Sequence, residues 1–456
     1  MRIDATLVLD IGKTNCKLSL IDAQGLTLAE TRTPNTVRSD GPYPHHDIER
    51  LWDWMLGRMR EFAELANIRA IVPVTHGATT ALIDEQGLVL PILDYEHVPD
   101  ETAYAGVRPS FDETSSPALP AGLNLGRQLH WLSQTFPAEF ARTRQILMYP
   151  QYWAGRLCGV AASEVTSLGC HTDLWQPAGK TWSSLVQRMG WAPLFPARRS
   201  AWERLGVLLP EVAEQSGLAK DCQVVCGIHD SNASLLRHLL TLPVSGPCTV
   251  LSTGTWVIAA ALGSATKPLL EAQDMLANCD VFGDPVPCMR FMGGREFGAI
   301  AGPEAQPCTP ADFEKLIAQQ TFALPCFAET GGPFGGPAGQ TGRIEGPAPA
   351  SPAERSALAT LYVVLLTDYC LEALGSTSPV IVEGAFTANP HFGPLLAGLR
   401  EGRSVAVSDD SSGTTCGAWL LDVWGREAAA VADAVAPLSP SGWRAYRDEW
   451  RRATGR

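Results

Sequence analysis

The chain has 456 residues, 45% of them hydrophobic, which is enough for two or three cores and argues against a single domain. A formal net charge of −13 excludes the broad basic field that a nucleic-acid or anionic-membrane surface needs, so any bound phosphate must be held locally. The twelve cysteines are scattered through apolar segments without a C-x-x-C pair, which speaks against zinc and predicts reduced, buried thiols.

In chain order, TLVLDIGKTNCKLSLIDAQGLTLAETRTP predicts three short strands joined by glycine-containing turns, an antiparallel meander. DIERLWDWMLGRMREFAELANI has apolar residues at helical spacing, and RAIVPVTHG reads as a strand buried on both faces, as in a parallel sheet. Residues 121–220 read as largely helical, tryptophan-rich and broken at Pro and Gly, an insertion or a continuation of the first lobe. DCQVVC is a short buried strand running into GIHDSNASLL, which opens a helix. Then CTVLSTGTWVIAAAL repeats the strand, glycine turn and strand of the first hairpin, the mark of an internal duplication. The boundary is accordingly placed near residue 240, giving lobes 1–240 and 241–456.

Further on, TGGPFGGPAGQTGRIEGPAPASP reads as a Gly/Pro-rich loop and ERSALATLYVVLLTDYCLEAL as a strongly apolar helix. PVIVEGAF is a buried strand entering a loop, and GTTCGAWLLDVWG a helix whose small residues suit close packing. The basic, aromatic GWRAYRDEWRRATGR is read as a solvated amphipathic helix without a function. No apolar run reads as long enough to span a bilayer, and TLVLDIG is too short for a signal peptide, so a soluble, cytoplasmic protein is expected.

The turn in DIGKTN presents backbone N–H groups and side-chain donors of Gly12, Lys13, Thr14 and Asn15 to an anionic ligand. Asp10 at the strand end suits a hydrated Mg²⁺, which takes few carboxylates and keeps its waters. An ordinary hairpin with a surface lysine fits the same residues. STGTW repeats the chemistry without charge, through Thr253, Gly254 and Thr255. Asp230 stands at a helix N-terminus, where a carboxylate serves either as a plain cap or as an ionised base. Two such turns in duplicated lobes, with a carboxylate between them in sequence, describe a cleft closing on a polyphosphate.

These residues resemble the FGGY carbohydrate kinases of the actin, hexokinase and heat-shock-70 superfamily. DIGKTNCKLSLID is similar to that family's first phosphate motif, LSTGTWVIAA to its second, GIHDSNAS to its catalytic-aspartate motif and VIVEGAFTANPHF to its adenosine motif, over nearly the whole chain. The resemblance implies an α/β fold of two duplicated ribonuclease-H-like lobes with an interlobe cleft, and ATP and Mg²⁺ as cofactors. It implies Asp230 as the base that takes a proton from a sugar hydroxyl, and Gly384, Ala385 and Asn389 at the nucleotide. Glu383, Gly384 and Ala385 stand where the family has three glycines, a departure that bears on nucleotide preference. VTHGATTALIDEQGLVLPILDYE resembles the substrate strand pair, with His76, Gly77 and Glu96 as sugar contacts beside His229 and Asp230. Pairing HDSNAS with STGTW looks most like the rhamnulokinase and L-fuculokinase-like branch, which favours a deoxy-ketose such as L-rhamnulose or L-fuculose. Ketopentoses, polyols and a non-catalytic sugar sensor of the same fold remain alternatives. The expected partner is a small sugar, with no nucleic acid and no membrane, and a homodimer is left open.

Overall fold

In the opening meander, β1 (Asp4–Ile11) and β2 (Asn15–Asp22) bury nearly every residue, while polar β3 (Thr27–Pro34) lies half in solvent at the sheet edge. The three pair antiparallel. β4 (Asn67–Thr75) and β5 (Gln223–Val225) then add in parallel, giving the order β3-β2-β1-β4-β5. The helix Ile48–Leu65 makes the crossover from β3 to β4, with Leu51, Met55, Met59 and Phe62 buried at helical spacing. Ile228 and His229 pair with Val74 and Thr75, so the helix Asp230–Ser245 starts beside the carboxyl end of β4.

The computed structural model describes residues 2–100, 102–264, 267–328, 331–335, 341–408, 412–426 and 432–455, and of 242–245 the backbone alone. Its second large sheet repeats the first. β6 (Cys248–Thr253), β7 (Val257–Leu262) and β8 (Pro285–Phe291) are antiparallel, and β9 (Val380–Gly384) and β10 (Val405–Ser408) join in parallel, in the order β8-β7-β6-β9-β10. This recurrence is the duplication anticipated from the repeated strand-turn-strand sequence, and the topology is that of the ribonuclease-H-like, actin and hexokinase fold.

The chain divides into two compact units, one of residues 1–240, 277–285 and 412–429, the other of 241–276, 286–411 and 430–456. A single cut at 240 therefore misses two later segments that return to the first unit. One of them carries the helix Gly413–Asp422, whose small residues do pack closely: a Cβ at Gly417 would lie 1.8 Å from the Ala233 carbonyl oxygen. That contact seats the returning helix directly on the helix that begins at Asp230.

Residues 121–220 are less helical than the sequence suggested. Their helices are short, as Leu125–Thr135 and Tyr149–Cys158, and alternate with strands and turns. Trp131, Trp175 and Trp191 bury there in a separate cluster with Leu129, Leu168 and Leu185, so aromatic packing takes the place of long helices. The Gly/Pro-rich stretch also holds order: Arg343–Glu345 pairs antiparallel with Phe322–Leu324, while 330 and 336–340 lie outside the described residues. The helix Pro352–Ala373 is long and apolar enough to cross a membrane by length and composition, contrary to the expectation that no apolar run reaches that length. It is instead the core helix of the second unit, with 83% of its most apolar window buried. No disulfide forms among the described residues, which include all twelve cysteines. The C-terminal helix Trp443–Ala453 is amphipathic as expected, and it buries Trp443, Tyr446 and Trp450 on its apolar face.

Candidate active site

Asp230 opens its helix, and its carboxylate accepts hydrogen bonds from the Ser231 N–H at 2.6 Å and the Ser231 hydroxyl at 3.2 Å. Its side chain is 32% exposed, so it is both held and reachable. Behind it runs a fixed chain of polar groups. Asn232 Nδ2 donates to the Cys279 carbonyl at 2.6 Å, which leaves Oδ1 to accept from His229 Nδ1 at 3.0 Å. His229 Nε2 then faces Asp230 Oδ1 at 3.3 Å. Burial works against a charged His229, yet the negative charges of Cys170 and Asp230 raise it well above the ordinary imidazole range. His229 is thus biased towards the imidazolium form, and its Nε2 is placed to orient the Asp230 carboxylate. Its backbone N–H is bound by the Thr166 hydroxyl, itself fastened to buried Glu164. Asn232, Thr166 and Glu164 carried no sequence signal, because their roles exist only once distant segments meet.

The turn after β1 closes through a Gly12 N–H to Asn15 carbonyl bond of 3.0 Å. The Thr14 carbonyl is taken by the Asn35 N–H at 2.8 Å. Lys13 does not hang free over this turn. Its ammonium is bound to the buried Asp94 carboxylate, lies 3.4 Å from Glu96 and sits over the Tyr95 ring at 5.0 Å. Asp10 faces Lys17 across the β1–β2 pair at 3.6 Å, and Lys17 also donates to Thr415 at 2.8 Å. Burial pushes Asp10 up to about 6; Lys17 pulls it back and the Asp230 charge adds to the rise. Asp10 and Asp230 thus feel each other within one unit. A lone carboxylate is the donor set Mg²⁺ takes when waters and phosphates complete its shell, so Asp10 fits that ion. No group of three or more His, Cys, Asp or Glu side chains suited to an all-protein metal site occurs among the described residues.

The sugar candidates gather at the carboxyl end of β4, where ligands of open α/β sheets bind. His76 and Gly77 follow β4 directly, and a Cβ at Gly77 would lie 2.6 Å from His229 Nε2, so only glycine lets the two segments approach. His76 is 5% exposed; burial, then the charge of His46, pushes it down to about 3, so it is neutral. Its Nδ1 lies 2.9 Å from the Gly77 carbonyl and so carries the proton, leaving Nε2 a buried acceptor without a partner. His46, 2% exposed and with both ring nitrogens unpartnered, stands 5.3 Å from the His76 ring, and Tyr149 and Tyr95 flank it. Glu96 is 68% exposed at its side chain, whereas Asp94 is buried and ion-paired. Asp94, Tyr95 and His46 are thus the residues that the sequence reading passed over. The DYEH run was visible, but burial, which separates Asp94 from Glu96, was not.

In the second unit, Gly254, Thr255, Ala385 and Asn389 line one cavity of about 780 Å³ with Gly294, Arg295, Phe297 and His391. Thr253 and Gly384 lie behind its wall. The Thr253 hydroxyl donates to the Glu383 carbonyl and accepts from the Phe386 N–H at 2.9 Å, so it is spent on joining β6 to the turn after β9. Gly384 has φ +86°, and a Cβ there would meet the Thr253 carbonyl oxygen at 2.1 Å. Asn389 donates to Thr360 at 3.0 Å and accepts from the His391 N–H at 3.0 Å, which makes it a brace for the lining. An apolar, partly aromatic cavity with a glycine turn at one side fits a nucleotide.

Comparison with known proteins bears on the fold and the family. Residues 245–431 match the model of the carbohydrate kinase FGGY C-terminal domain. The L-fuculokinase of Escherichia coli (strain K12) is 25% identical over 294 residues, 62% of this chain and 61% of its own length, so the alignment spans less than two thirds of that relative. The xylulose kinase from Rhodospirillum rubrum shares the fold at TM-score 0.79 and 18% identity, over 99% of this chain and 97% of that one. A carbohydrate kinase from Novosphingobium aromaticivorans is 37% identical, with TM-score 0.92 over 98% of this chain and 100% of its own. With that identity across its full length and the same duplicated topology, this chain belongs to the FGGY carbohydrate kinase family.

Proposed function

We propose that this protein transfers the γ-phosphoryl group of ATP to a hydroxyl of a small sugar, most suitably a ketose or deoxy-ketose of the L-fuculose or L-rhamnulose type. The observation that carries this reading is the Asp230 carboxylate, reachable, seated on a helix N-terminus and backed by the His229–Asn232 chain. In that role Asp230 accepts the hydroxyl proton as the oxygen attacks phosphorus. His76 Nε2 accepts a hydrogen bond from another sugar hydroxyl, and Asp94 and Lys13 form a charged edge of the same pocket. Mg²⁺ at Asp10 would neutralise phosphate charge. The 780 Å³ cavity of the second unit would take the nucleotide, with Gly254 and Thr255 on the phosphate side. The fuculose-type acceptor is supported by the L-fuculokinase relative; the wider sugar class rests on the family.

The test is ADP release from ATP and Mg²⁺ with L-fuculose, L-rhamnulose, L- and D-ribulose, L- and D-xylulose, glycerol and erythritol, repeated with Asp230→Asn. Release that depends on a sugar and is lost in the variant is the expected result, and the ranking names the acceptor. Nucleotide binding with no stimulation by any sugar would sink the catalytic reading in favour of a sensor.

A further inference from the structure

A second cavity in the same unit, of about 340 Å³, has no part in the reaction described above. It is lined by Lys267, Arg400, Arg403 and Arg447, by the Ser376–Thr377 turn and by Asp368 and Glu372. The two carboxylates are already engaged, since Arg451 reaches Asp368 at 2.7 Å and Glu372 at 2.6 Å. Arg447 is paired with Asp448. Lys267 and Arg403 are exposed and have no carboxylate partner among the described residues, and a Cβ at Gly375 would lie 2.3 Å from Lys267 Nζ, which places that ammonium over the turn.

Arg400 is the telling residue. It is 5% exposed; among the described residues its Nη2 donates only to neutral groups, the Ser376 and Ser378 carbonyls and the Ser376 hydroxyl, and its buried Nε has no partner. A guanidinium stripped of water and held without a carboxylate in direct contact, with Asp368 acting on it only at longer range and already bonded to Arg451, is costly. Burial, followed by the charge of Arg403, holds its proton affinity below the usual arginine range, and the Asp368 charge offsets this only in part.

We propose that this cavity binds a small, free, multiply charged phosphate compound at a site separate from the nucleotide cavity. Arg400 and Arg403 would take the phosphate oxygens, Lys267 would close over them, and the Ser376–Thr377 turn would supply neutral donors. The volume sits at the low end of ligand pockets, roughly 300–1,000 Å³, and suits pyrophosphate or a phosphorylated sugar.

Pyrophosphate is the probe. It would be titrated by calorimetry into the wild-type protein and into Lys267→Ala/Arg403→Ala, with phenylglyoxal labelling of arginines mapped by mass spectrometry in both. Both positions are exposed, so the variant should keep the wild-type melting temperature without anion. The expected result is protection of Arg403 and Arg447 in the wild type, affinity about tenfold or more weaker in the variant, and partial recovery in Lys267→Ala/Arg403→Lys. Equal affinity in wild type and variant, or protection confined to Arg295 at the nucleotide cavity, would overturn the proposal.

Discussion

The two turns that join the first pair of strands in each sheet make an instructive contrast. Both close a hairpin at the carboxyl end of a central strand, and both are followed by the same order of neighbours. The first is embedded in charge: Asp10 faces Lys17, and Lys13 is drawn to Asp94 and Glu96. The second, Gly254 to Trp256, carries none and opens on a largely apolar cavity. Duplication preserved the backbone scaffold, and in the function proposed above the side chains divide the labour, acceptor and metal chemistry in one unit and nucleotide in the other. This division follows from where charge can be afforded: a purine pocket gains from dry apolar walls, whereas proton transfer needs ionisable groups held near each other.

The division can be broken by variants that affect the wrong half. The largest effect is expected from Asp230→Asn, a loss of about 10² to 10⁴ in kcat, with ADP affinity by calorimetry changed by no more than roughly twofold. A parallel loss of nucleotide binding would mean that the two halves are not separate. Next comes Asp10. Its folded-state value near 6 against the ordinary 3.8 means that the fold favours the protonated form, a bias of roughly 3 kcal/mol. The charge is therefore tolerated at a cost that is absent below pH 3.8 and complete above about pH 6. Asp10→Asn should be inactive yet melt higher than wild type at pH 7.5 without ligands, the gap closing as pH falls towards 4. A constant gap across that range would remove burial of Asp10 as its cause.

On the other side, Gly384→Ala forces a side chain into positive φ and onto the Thr253 carbonyl, a strain of about 1–3 kcal/mol. Nucleotide KM should rise about tenfold while sugar binding stays as it was. Lys13→Met sharpens the contrast further, because the family motif points Lys13 at phosphate and the structure points it at Asp94. A rise of roughly tenfold in sugar KM is expected, with ATP KM little changed, since Asp94 is left buried without its cation. The reverse split would return Lys13 to the nucleotide. Glu96→Gln should be smallest, within about twofold in sugar KM, as an exposed carboxylate in a screened pair contributes little.

Much of this was legible without coordinates. Alternation and glycine turns located the meander and its repeat, and the helix-opening position of Asp230 was visible in GIHDSNAS, because these signals are local and periodic. What stayed hidden depends on contact between distant segments. Nothing in the letters separates Asp94 from Glu96, shows the Thr253 hydroxyl spent on the Glu383 carbonyl or joins Asn232 to Cys279. The aromatic packing that replaced helices in 121–220 was hidden for the same reason.

By itself, then, the amino-acid order determined the duplicated strand pattern, the glycine turns and the carboxylates from which the proposed phosphoryl-transfer site is built. Tertiary structure alone decided which of those groups are buried, which are already bonded and which stay reachable. Hydrogen bonding, desolvation and charge pairing act through space, and so the role of a residue such as Lys13 or Asn389 is fixed by its neighbours in the fold and not by its neighbours in the chain.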